Sequence, residues 1–184
     1  MATGDKYLDN GKLYVARFDA DGSGQWIELS IGKTSIAGYA AYRFADQADV
    51  LVNARLAADA VGATRMDRPE WCAVHPVTGE VYFTLTNNSN RRLEPSGSSQ
   101  MALDAANPRA YTDTKGGATQ GGNVNGHILR LKEAAGSAGT RFAWDVYLFG
   151  AEASAAAGVN LSALSTDQDF SSPDGLAFSR ATGI

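Results

Sequence analysis

A single cysteine, Cys72, in 184 residues excludes an intrachain disulfide. With only two histidines beside it, His75 and His127, the Cys/His sets of a zinc finger are out of reach as well. Any metal held here is held by oxygen. No apolar run approaches the roughly 18 residues of a membrane helix, so no membrane span is expected. Sixteen Lys and Arg stand against twenty Asp and Glu, a net charge of -4, which removes the basic field that nucleic-acid binding needs. Nucleic acid is not an expected partner. The first residues show no basic stretch followed by an apolar core, so no secretory signal is expected on the chain as given. What is there is ordinary globular material, 44% hydrophobic and 20% charged, enough for one domain with a real core.

The apolar pattern is mostly that of strands. Leu13 to Phe18 and Gln25 to Leu29, joined across Asp19-Ala20-Asp21-Gly22-Ser23-Gly24, predict a hairpin. Trp71 to Val74 and Glu80 to Thr86, joined by His75-Pro76-Val77-Thr78-Gly79, predict a second. His127 to Lys132 and Phe142 to Phe149 predict a third, and Leu176 to Phe178 a further strand. One helix is expected between Asp46 and Val61, where Leu51, Ala54, Ala58 and Val61 recur at helical spacing between an aspartate cap and Gly62. Two long polar stretches, 87–125 and 151–172, read as loops.

An internal repeat runs through this list. Gly11 to Trp26 parallels Gly126 to Trp144, and Pro69-Glu70-Trp71 through Glu80 parallels Pro173-Asp174-Gly175 through Ile184 without a gap. Repeated antiparallel hairpins with Gly/Pro turns point to a β-propeller, at roughly 40 to 50 residues per blade. The fold expected is all-β: a partial β-propeller of antiparallel blades with one inserted helix and two long loops. Residues 1–184 are read as a single partial domain cut short at both ends.

Glu70 and Asp174 occupy one slot in the two copies, so the repeat would bring two carboxylates to one end of a channel, a setting that suits a hard cation such as calcium. Their plainer reading is a solvated strand end and a Pro-Asp-Gly turn. Arg68 would suit a phosphate oxyanion, which a guanidinium binds bidentately. The competing reading is an ion pair with Asp67 or Glu70. Cys72, inside an apolar run, reads as a small buried hydrophobe, and His75 and His127 as turn or surface residues. Asn87, Asn88, Asn90, Asn107, Asn123 and Asn125 offer amide oxygens and are also ordinary turn residues. Asp19 to Gly24 opens like a calcium loop, but its twelfth position is Ser30 instead of glutamate. Gly116 to Gly122 contains no lysine and is read as having no strand before it.

Several of these segments resemble the PhoX-type alkaline phosphatases. They are Tyr7 to Phe18, Arg65-Met66-Asp67-Arg68-Pro69-Glu70-Trp71, Gly79 to Tyr82 with Thr84 to Asn88, Asn107-Pro108-Arg109, Gly126-His127-Ile128 and Ser172-Pro173-Asp174-Gly175-Leu176. The resemblance implies a β-propeller phosphomonoesterase whose metal cluster contains ferric iron and calcium. It implies that Glu70 and Asp174 are metal ligands and that Arg68 contacts the phosphate. Asn87, Asn88, Asn107 and Arg109, in the matched motifs, form a second tier. It also implies a phosphate monoester as substrate and a periplasmic or extracellular location for a longer parent protein, of which this is a later segment, inactive alone. The alternative is a non-enzymatic propeller interaction module, or a calcium-dependent propeller hydrolase of lactones or other esters.

Overall fold

The computed structural model describes residues 11–137 and 139–182. The motif starting at Tyr7 lies partly outside the described residues, and Ile184, which closes the second copy of the repeat, lies wholly outside them. The chain forms two compact units: one takes it to Phe18 and again from Gly24 to Thr64, the other takes Asp19–Ser23 and everything from Arg65 onward.

In the first unit, β1 (Tyr14–Phe18) pairs antiparallel with β2 (Ser23–Glu28), with Tyr14 opposite Glu28 and Phe18 opposite Gly24. The hairpin is the expected one. Helix α1 (Thr34–Ala37) was not anticipated, and the single helix predicted between Asp46 and Val61 is two, α2 (Gln47–Val52) and α3 (Ala54–Ala60). Asp46 caps α2 by accepting the Asp49 N–H at 2.9 Å. The break falls at Asn53, whose side-chain amide donates to Asp49 Oδ1 at 2.7 Å while its backbone leaves helical geometry at ψ 39°. The buried face differs in part: Ala54 and Val61 pack against the core as expected, but the fully buried residues are Val50 and Ala57, whereas Leu51 is 44% exposed. Val50 and Ala57 pack with Leu29, Ile36 and Phe44 into this unit's core.

The second unit is built on a four-stranded antiparallel sheet in the order β10-β9-β4-β3. Its strands are β3 (Pro69–Val74), β4 (Val81–Leu85), β9 (His127–Ser137) and β10 (Arg141–Phe149). They follow the chain up and down, the meander of a propeller blade, interrupted once by residues 86–126. Alternation buries one face, where Leu85, Leu129, Leu131 and Phe142 are core residues; Tyr82, opposite Arg130, is buried on the other face against Tyr147 and Phe178. Strand β3 lies at the sheet edge, which is why Trp71 and Val74 remain more than half exposed. Cys72 is exposed with them, contrary to its reading as a buried hydrophobe.

The interruption is not a plain loop. Strands β5 (Arg91–Arg92) and β6 (Met101–Ala102) pair in parallel, and β7 (Tyr111–Lys115) and β8 (Ala118–Gly122) form an antiparallel hairpin. Gly116 and Gly117, at φ 60° and 78°, make the two-residue turn that such a hairpin favours. A strand therefore does precede the glycine-rich run dismissed for lacking one. The expected strand at Leu176 to Phe178 has no ladder among the described residues; Phe178 instead packs edge-on against Tyr82 and His75, each at 5.0 Å or closer.

Candidate active site

The site stands on a buried polar network. Asp67 has no exposed surface, and its Oδ1 accepts from Arg91 Nε at 2.9 Å and Asn88 Nδ2 at 2.7 Å. Its Oδ2 accepts from Asn123 Nδ2 at 3.0 Å, and its N–H donates to Asn107 Oδ1 at 3.0 Å. Arg91, 1% exposed, also donates to the Arg65 carbonyl at 3.0 Å and meets Asp104 at 3.2 Å. Burying an ion pair costs several kcal/mol per ion, so it persists only where the remaining donors and lone pairs are satisfied, as they are here. The return is positional: the backbone of residues 65–67 is tied at three points to the inserted segment.

His127, read from sequence as a turn or surface residue, is fully buried in the same network. Asn123 Nδ2 donates to its Nδ1 at 2.9 Å, so the proton sits on Nε2, which donates to the Ala106 carbonyl at 2.7 Å. Burial lowers its pKa from 6.5 to about 4. Because the unfolded histidine takes up its proton near pH 6.5 and the folded one only near 4, stability falls as pH drops through that window. The fall should be on the order of 3 kcal/mol. Urea unfolding at pH 7 and pH 4.5 should show a loss that His127→Gln reduces; equal losses in both proteins would refute it.

On this base the chain makes two strained turns. Arg68 lies at φ 53°, and Ser172, its partner in the repeat, also lies at φ 53°. Both immediately precede a proline, which pushes its predecessor toward extended backbone, so a left-handed non-glycine residue there costs about 1–3 kcal/mol. The same strain at equivalent positions supports the repeat register. Arg68 precedes β3, and the ladder shifts between Pro69 and Trp71, where Glu70 bulges, so the two-residue spacing of Arg68 and Glu70 is not that of a regular strand.

From these turns a row of polar groups reaches the surface. The Arg68 guanidinium donates to Asn87 Oδ1 at 3.0 Å and to Glu70 Oε1 at 3.3 Å. Asn87 Nδ2 donates to Ser172 Oγ at 3.2 Å, and Lys115 Nζ donates to the same hydroxyl. Thr84 ties the two turns together, its hydroxyl accepting from Trp71 N–H at 3.0 Å and donating to the Asp174 carbonyl at 2.7 Å. The structure thus joins Arg68, Glu70 and Asn87 with the Asp174 backbone. The Asp174 side chain is exposed and has no hydrogen bond or ion pair among the described residues.

Asn88, Asn107 and Arg109 do not join this row. Asn88 and Asn107 serve Asp67, as above. Arg109 is buried and donates to the carbonyls of Gly150 at 3.1 Å, Val159 at 2.7 Å and Gly126 at 2.6 Å, with its guanidinium over the rings of Tyr111 and Phe149. Sequence reasoning missed Arg91, Lys115 and Ser172. Ser172 was findable as the equivalent of Arg68 in the repeat. The two others depend on how residues 86–126 fold, which no periodicity announces.

The donors suit a hard cation in kind: Glu70 and Asp174 bring carboxylates, Asn87 an amide oxygen. They fall short in number, since no group of three or more His, Cys, Asp or Glu gathers among the described residues and calcium takes about six to eight oxygens.

A family model described as alkaline phosphatase PhoX matches residues 2–184. Among solved structures, Pseudomonas fluorescens PhoX in complex with vanadate, a transition state analogue, is 43% identical, with a TM-score of 0.76. The likeness covers 97% of this chain and 30% of that one, so the chain spans less than a third of the length of that relative. No curated protein matches.

Proposed function

The chain belongs to the PhoX alkaline phosphatase family, and from this we propose that it is the later part of a metal-dependent phosphomonoesterase and carries one wall of the active site. The observation that carries the reading is the row Glu70, Arg68, Asn87 and Ser172, hung on two equivalently strained turns. Strain of this kind persists where the surroundings over-determine it, and it clusters at functional sites. The Arg68 head is 61% exposed, so its contact with Glu70 adds little to stability. What the contact and the Asn87 amide do is hold the guanidinium in one orientation.

In this reading Arg68 turns its free N–H groups to the phosphate oxygens and meets the charge that builds on them in the transition state. Asn87 fixes the plane of the guanidinium. Glu70 and Asp174 hold calcium or ferric iron together with ligands from the rest of the protein. Those cations, when bound, neutralise phosphate charge and activate the attacking oxygen. A phosphate monoester is the substrate, and the parent protein works in the periplasm or outside the cell.

In the full-length protein, Arg68→Ala should lower kcat/KM for a phosphomonoester by about 100-fold, the usual scale for losing one preorganised donor. It should weaken inhibition by inorganic phosphate in parallel. Unchanged kinetics would reduce Arg68 to a surface ion pair and overturn the assignment.

A further inference from the structure

The mechanism above leaves unused a cation that adjoins this row of polar groups, Lys115. Lys115 ends β7 and stands at the turn of the β7–β8 hairpin, so the hairpin presents it. Its ammonium donates to Ser172 Oγ and to the Val124 carbonyl at 3.4 Å, and no carboxylate lies within ion-pair distance of it among the described residues. Asp113, two residues earlier, acts on the ammonium through space without forming an ion pair with it, and its Oδ2 accepts from Asn125 Nδ2 at 2.8 Å. Lys115 is half-buried, and burial lowers its pKa below the ordinary value. A partly desolvated ammonium with no carboxylate in contact is favoured by an anion that completes its shell.

Its surroundings say where that anion sits. Ser172 Oγ receives Lys115 on one side and Asn87 Nδ2 on the other, and Asn87 Oδ1 in turn receives Arg68. The two cations bracket the Asn87–Ser172 pair, each held by one of its hydroxyl or amide oxygens. Among the described residues no carboxylate pairs directly with Lys115, whereas Glu70 pairs with Arg68. The hairpin itself is anchored beneath the site, since Asn125 N–H donates to Tyr111 Oη at 3.0 Å and the Asn125 carbonyl accepts from Ser172 N–H at 2.8 Å.

We propose that Lys115 is a specificity-determining residue of the phosphate site, a second cation that binds the oxygens of the phosphate dianion from the side opposite Arg68. This rests on the phosphatase reading. A charge of this kind favours the doubly ionised monoester over the singly charged diester, because only the monoester offers charge to both cations. The β7–β8 hairpin is then a specificity element and not a surface ornament.

The test uses the full-length protein with inorganic phosphate as the probe. Lys115→Met should raise the inhibition constant for phosphate and the KM for a phosphomonoester by about tenfold, the scale of one charge-assisted hydrogen bond, with a smaller change in kcat. Lys115→Arg should restore most of the loss. Peptide mapping after amine acetylation should show Lys115 protected by phosphate. If Lys115→Met leaves the phosphate constant unchanged while Arg68→Ala raises it, the second cation is refuted and the phosphatase reading stands. If neither variant moves it, both fall. A drop in melting temperature with the phosphate constant unchanged would make Lys115 a structural tether and also refute the proposal.

Discussion

Replacing Asp67 by alanine is expected to lower the unfolding free energy by about 3–5 kcal/mol, the range seen when one partner of a buried ion pair is removed. The size follows from what is stranded. Arg91 is 1% exposed and would keep its charge with only Asp104, itself 39% exposed, as counter-ion. Asn88 and Asn123 would each lose the carboxylate oxygen that their amides face. Asp67→Asn, which keeps the shape and one acceptor, should cost less, and Asp67→Leu combined with Arg91→Met should cost less than the sum of the single changes. Urea denaturation of Asp67→Ala, Asp67→Asn, the two single changes and the double variant decides it. A single-variant loss below about 1 kcal/mol would mean that water enters the network and that the two strained turns are held by something else.

The network also shows how far residues alone reveal a site. The repeat was legible because it rests on local chemistry: a proline, an acid and an apolar strand recur in order, and the backbone before both prolines adopts the same left-handed turn. The hairpins were legible because alternation and Gly/Pro turns are short-range signals. Burial of polar residues was not. His127 opens a strand and reads as a surface residue until residues 86–126 fold over it and bring Asn123 and Ala106 to its two nitrogens. Arg91 sits in a run of polar residues that gives no hint of a core position. The face of the helical stretch between Asp46 and Val61 was legible in part: Ala54 and Val61 pack against the core as expected, but the fully buried positions are Val50 and Ala57, and Leu51 turns outward. Tertiary contacts decide each of these, and periodicity carries no record of them.

Gly126→Ala is expected to be at least about 2 kcal/mol more costly than Gly79→Ala, although the two glycines share the same backbone conformation, φ 69°. At Gly79 a methyl group meets nothing within 4 Å, so the change costs only the left-handed penalty of about 1–2 kcal/mol. At Gly126 the methyl carbon would lie 2.2 Å from the carbonyl oxygens of both Leu85 and Thr86. Neither oxygen belongs to a side chain that can swing away. Leu85 is paired with His127 in the β4–β9 ladder, and Thr86 donates its N–H to the Arg68 carbonyl at 3.2 Å. Relief therefore means moving the end of β4, and with it the turn that carries Arg68 and the Asn87 side chain that orients it. Thermal unfolding of the two variants side by side should separate them. In the full-length protein Gly126→Ala should also lower kcat at temperatures where it remains folded, while Gly79→Ala should not. Equal melting temperatures would show that β4 yields without cost, and the close approach at Gly126 would then have no part in holding Arg68.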